Sequence, residues 1–158
     1  MRLHSIKWLM AIIFISLLTA LVIKSWQYWQ QNHFQCSGEM RLFNTDFQGD
    51  VSVRYIFDSN RGLVIVRGEI TPLEGRPFTI NQSVWFSFTR DGEHYFMRSE
   101  NISAGTGKAE EEVQGQIKRI LPPFFLKPQV PFYLNIQRIN ERTRLFYTSR
   151  APVLFCET

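Results

Sequence analysis

Few residues in this sequence are of types that do chemistry. They are two cysteines (Cys36, Cys156), three histidines (His4, His33, His94) and the acidic run Glu110, Glu111, Glu112. The thiols and imidazoles lie too far apart to show a metal-ligand spacing. Three consecutive carboxylates point in different directions on a helix, so they read as a solvated first turn rather than a metal site. Gly105-Thr106-Gly107 followed by Lys108 lacks the spacing of a phosphate-binding loop, and there is no GxSxG, HExxH, GxGxxG or CxxC. His94 follows an Asp91-Gly92 turn and reads as a surface strand residue. His33 lies where a pH-sensing role is conceivable but nothing else supports one. Nothing supplies a nucleophile, an acid–base pair or a metal, so the expectation is a protein that is not an enzyme and needs no cofactor.

What the cysteines do depends on compartment, and compartment is set by the N-terminus. Residues 8–23 (WLMAIIFISLLTALVI) are sixteen positions without a charge, bracketed by Lys7 and Lys24. As a helix they cover about 24 Å, a little short of a ~30 Å hydrocarbon core. The flanks extend that reach. Lys7 and Lys24 can snorkel, and Trp8, Trp26, Tyr28 and Trp29 sit where an interfacial aromatic belt belongs. The alternative, a cleaved signal peptide, needs small residues at the first and third positions before the cut. Ala20 is preceded two residues earlier by Leu18, and Ser25 by Ile23. An uncleaved membrane helix is therefore expected at 8–29, with 1–7 cytoplasmic under the positive-inside rule. A linker at 30–35 and a periplasmic domain at 36–158 would follow. In an oxidising compartment Cys36 and Cys156 would pair across a loop of about 120 residues; the alternative is two unrelated buried thiols.

The positioning elements beyond the anchor have β texture. Val51, Val53, Tyr55 and Phe57 share one parity, and residues 63–70 form the next strand after a turn at 58–62. Phe78, Ile80, Val84, Phe86 and Phe88 share a parity, with Gln82 as the exception. Asp91-Gly92 is the strongest hairpin signal, with residues 94–102 pairing back. Residues 109–121 have helical spacing with acids in the first turn, weakened by Gly115 and stopped by Pro122-Pro123. Strands at 132–139, 144–149 and 153–156 complete the chain. The expected fold is mainly β. It comprises a transmembrane helix, then an antiparallel barrel or strongly curved sheet, lipocalin-like, of seven or eight strands with one short helix.

Charge excludes one class of partner. Arg2, Lys7 and Lys24 belong to the anchor, which leaves fifteen bases against all fourteen acids, a net +1. Twelve of those bases are arginines spread along the chain, so there is no electrostatic footprint for nucleic acid. Fourteen phenylalanines, mostly on strand positions, mean a packed aromatic core or an apolar pocket. Phe86, Phe88, Phe132 and Tyr147 are the candidates for that core or pocket.

The pattern Phe34-x-Cys36-x-Gly38, the segment Leu121-Pro122-x-Phe124 and the ending Pro152-x-x-Phe155-Cys156, placed after a single anchor, resemble the FidL-like membrane proteins of enteric bacteria. The resemblance spans essentially the whole chain and includes no catalytic motif. It implies a partner: a membrane-spanning winged-helix transcription regulator of the ToxR type, by analogy with the ToxR–ToxS and VtrA–VtrC pairs. The function it implies is a single-pass inner-membrane accessory protein whose periplasmic domain binds and modulates that regulator's sensory domain. Docking would use a sheet edge or the open end of a barrel. The analogy also implies an alternative, a lipocalin-like binder of a bile salt or other small amphiphile, alone or with that partner.

Overall fold

The computed structural model describes residues 2–43, 45–104, 111–149 and 152–158. The chain forms two compact units, Met1–His33 and Phe34–Thr158. The first is one helix, α1 (Arg2–Asn32), whose sequence has no proline or glycine to interrupt it. Residues 6–32 are long and apolar enough to cross a membrane; their most apolar 18-residue window has a mean hydropathy of 2.4, and none of it is buried. Twenty-seven residues reach about 40 Å, more than the ~30 Å core requires. Two hydroxyls within it bond back to the helix: that of Ser16 donates to the Ile12 carbonyl (2.9 Å) and that of Thr19 to the Ile15 carbonyl (3.1 Å). Such back-bonding spares a hydroxyl from facing hydrocarbon unpaired. The helix runs on through 30–32, where a linker is expected from the sequence, and strand begins at His33. Gln30, Gln31 and Asn32 contain no breaker, so the helix continues until β pairing takes over.

The second unit is a closed antiparallel barrel of eight strands in sequence order. They are β1 (His33–Phe43), β2 (Phe47–Asp58), β3 (Arg61–Pro72), β4 (Phe78–Asp91), β5 (His94–Ala104), β6 (Pro131–Arg138), β7 (Thr143–Tyr147) and β8 (Pro152–Glu157). The expected alternation is realised. Val51, Val53, Tyr55 and Phe57 are buried on β2, and Phe78, Ile80, Val84, Phe86 and Phe88 on β4. At the β4–β5 turn Gly92 takes a positive φ of 61°, and a side chain there would meet nothing, so conformation rather than space favours glycine. Helix α2 (Glu111–Ile120) and a 3-10 turn at Pro123–Phe125 fill the β5–β6 connection. The 105–108 loop, and the helix start expected at 109–110, lie outside the described residues.

The parity exception, Gln82, has a structural reason. Its side chain is buried and donates to the Phe125 carbonyl at 2.8 Å. Ser99 does the same for the next turn, donating to the Lys127 carbonyl (2.7 Å) and accepting from the Val130 amide (3.0 Å). These two strand residues satisfy backbone groups of an irregular segment folded against the barrel, groups that burial would otherwise leave costly. That segment delivers Phe124 and Phe125 to the core.

The lower half of the barrel, where β1 enters, is solid with aromatic rings. Phe57 contacts Phe34, Phe86, Phe88 and Tyr95 at centroid distances of 4.5, 5.4, 5.2 and 5.4 Å. The Arg144 guanidinium lies 3.9 Å from the Phe34 centroid, a cation–π contact. Gly62, opposite Phe86 across the β3–β4 ladder, leaves room for that ring: a Cβ there would collide with the Phe86 ring and the Ile56 carbonyl. A Gly62→Ala variant is expected to lose about 1–3 kcal/mol of stability by overpacking, read as a lower urea midpoint at unchanged slope.

Candidate functional site

Above the aromatic plug the barrel is not filled. A partly enclosed cavity of about 260 Å³ opens at the end carrying the β1–β2 and β7–β8 connections. Met40, Val51, Val53, Leu134 and Phe146 form its wall, joined by Ile120 to Pro122 at the end of α2 and just beyond it. Among the described residues none that lines it is charged. Tyr55 forms the floor, packed between Phe57 (5.9 Å) and Phe146 (5.0 Å). It is only 5 % exposed, and its hydroxyl has no hydrogen-bond partner among the described residues.

Burial alone drives the Tyr55 phenol well above its ordinary value of 10. Tyr95 is also raised by burial, and Arg90, which hydrogen-bonds it, and Arg144 partly oppose the rise. Burial in turn lowers the Arg144 guanidinium, with Tyr95 opposing. A phenol that ionises later in the folded state binds more protons there than when unfolded. Its stabilising contribution is therefore complete below pH 10 and is lost as the pH rises above it. Alkaline unfolding is expected to begin above pH 10 and to shift upward in Tyr55→Phe. Tyrosinate absorbance at 295 nm against far-UV circular dichroism checks this.

Of the four residues expected in an apolar pocket or core, Phe132 lines the cavity. Phe86 and Phe88 are core, at 0 and 5 % exposure, below the cavity. Tyr147 is half-buried but does not line it; its neighbour Phe146 does, because Phe146 pairs with the buried Ile136 on β6 and adjacent strand residues face opposite sides of the sheet. Tyr55 shares the inward parity of Val51 and Val53, the sequence signal that could have placed it on the wall. Cys36 and Cys156 are joined as a disulfide with their Cα atoms 5.3 Å apart, and both are buried. Lys7, Trp8, Lys24, Trp26, Tyr28 and Trp29 are exposed on α1. Trp29 stacks on His33 at 4.7 Å, and its carbonyl lies 2.9 Å from His33 Nδ1. His94 is exposed and shares a 2.7 Å hydrogen bond with the Tyr133 hydroxyl. No group of histidines, cysteines and acids that could hold a metal occurs among the described residues.

The sequence profile of the YqeJ C-terminal domain matches residues 33–156, from the first residue of β1 to the second cysteine. The chain belongs to that family. All eight strands save the last residue of β8, both cysteines and the described residues of the cavity wall therefore fall within the YqeJ C-terminal domain, and α1 precedes it. No curated protein matches the sequence.

Proposed function

We propose that this chain is a non-enzymatic, single-pass accessory protein of a bacterial inner membrane. In this reading α1 is the anchor, its N-terminus is cytoplasmic, and the YqeJ C-terminal domain is periplasmic, where its disulfide is chemically at home. The domain binds and modulates the sensory domain of a membrane-bound winged-helix regulator, the partner class that the FidL-like resemblance implies.

One observation carries the partner-binding part. The outer wall exposes aromatic side chains that the core does not use: Phe96 is 53 % exposed and lies 5.5 Å from the Tyr133 ring on the neighbouring strand. Exposed aromatics beside a hydrogen-bonding rim (here His94 and Asn135) are the composition of a protein interface. Strand addition at a sheet edge, one of the two docking modes expected from the sequence, fits less well, because among the described residues the eight strands close into a barrel. Docking would use the wall or the open end. The test is a photo-crosslinking residue at Phe96 in native membranes. A crosslink to a single-anchor winged-helix protein supports the reading; recovery of monomer alone, with such a protein present, counts against it.

A second reading, a binder of small amphiphiles, is favoured by the apolar cavity inside the barrel.

A further inference from the structure

We infer that the barrel cavity takes an uncharged, mostly apolar molecule, which places one hydrogen-bonding group against the Tyr55 hydroxyl. The inference rests on the second reading above and names the class of ligand. Three observations carry it.

The first is size. At about 260 Å³ the cavity lies between the ~150 Å³ hole that holds benzene and the ~300–1,000 Å³ of drug-sized sites. In proportion to benzene, that is roughly ten heavy atoms: one substituted ring or a medium-length chain. A steroid is too large to be enclosed.

The second is charge. Among the described residues no charged side chain lines the cavity, and a carboxylate or ammonium carried inside would lose its hydration without meeting a counter-ion. The enclosed part of the ligand is therefore neutral. The third is Tyr55. A phenol 5 % exposed at the floor of an apolar cavity, with no partner among the described residues, is a hydrogen bond left open. A ligand hydroxyl, carbonyl or ether oxygen there would complete it. Among the described residues the only other hydroxyl in the lining is that of Thr148.

The experiment uses the full chain in lipid nanodiscs and a photoreactive octanol, 3-azioctanol, with labelling read only on peptides of the cavity wall around Val51 to Tyr55. Labelling is expected to saturate and to be displaced by 1-octanol and by toluene. Tyr55→Phe keeps the ring and its packing, and its circular dichroism should match the parent. In it the 1-octanol concentration that halves labelling should rise about tenfold, the equivalent of one net hydrogen bond, while that of toluene stays unchanged. Octanoate should compete at least tenfold less well than 1-octanol. Labelling that does not saturate would overturn both this inference and the second reading. Saturable labelling with equal 1-octanol competition in both proteins, or octanoate competing as well as 1-octanol, would leave that reading standing and overturn this inference.

Discussion

Removing the Cys36–Cys156 bond by paired replacement with alanine is expected to lower the unfolding free energy by about 5 kcal/mol, the largest single loss available to the domain. The bond spans 120 residues, and closing a loop of that length removes roughly 5 kcal/mol of chain entropy from the unfolded state in the loop-closure account. Two structural features set where the loss is felt. Both half-cystines are buried, at 3 and 0 % exposure, so alanine leaves no unpaired polar group there. They also join the strands at the barrel's closing seam, where β1 meets β8 through the pairing of Ser37 with Glu157. The marginal stability typical of a domain this size is about 5–15 kcal/mol, so the variant would be near unfolding at 37 °C. Urea unfolding with and without a reductant checks this: the reduced parent should fall onto the alanine pair. Hydrogen exchange should show β1 and β8 losing protection before β3 and β4.

The second large effect is expected at Phe86. This ring is wholly buried, faces Gly62 across the ladder, and touches Phe57, Phe88 and Phe124 at 5.4, 6.2 and 6.1 Å. Phe86→Ala should cost about 3–5 kcal/mol, because the removed ring is the joint between the barrel's aromatic plug and the turn at Pro123–Phe125, and its neighbours are held by closed β pairing and cannot collapse into the gap. Phe132→Ala should cost clearly less. Phe132 is only partly buried and already borders the cavity, so its loss enlarges an existing space rather than opening a new one. Comparing the two urea midpoints at matched slopes separates plug from cavity wall. The same pair of variants bears on the ligand inference, since widening the cavity through Phe132 should admit larger neutral guests while the loss of Phe86 should not.

Much of the fold was legible in the residues. The uncharged run between Lys7 and Lys24 could only be an apolar helix, because hydropathy over sixteen positions is a local property. Inward parity on β2 and β4 followed from period-two alternation, which depends on side-chain geometry within one strand. The turn at Asp91-Gly92 followed from glycine's freedom at positive φ. Less was legible where distant segments meet. Cys36 and Cys156 made a plausible pair, yet only the closed sheet brings β1 beside β8. Gln82 broke a pattern for a reason supplied by the Phe125 carbonyl, 43 residues further on.

The candidate site shows the same division. Alternation along the strands determined that Tyr55, Phe86, Phe88 and Phe132 face inward. It carried no information about height along the barrel axis. Only the tertiary structure decided that Phe86 and Phe88 fall within the plug while Tyr55 and Phe132 border open space, because strand tilt, the bulge at Trp85/Phe86 and the docking of the turn at Pro123–Phe125 set which layers are filled. Pairing with Ile136 on β6 likewise put Phe146 rather than Tyr147 on the wall, since adjacent strand residues face opposite sides of the sheet. Sequence alone therefore determined an apolar helix, a β-domain and the inward-facing set. The cavity, its wall without charge among the described residues and the inward Tyr55 hydroxyl exist only through the packing of strands far apart in the chain.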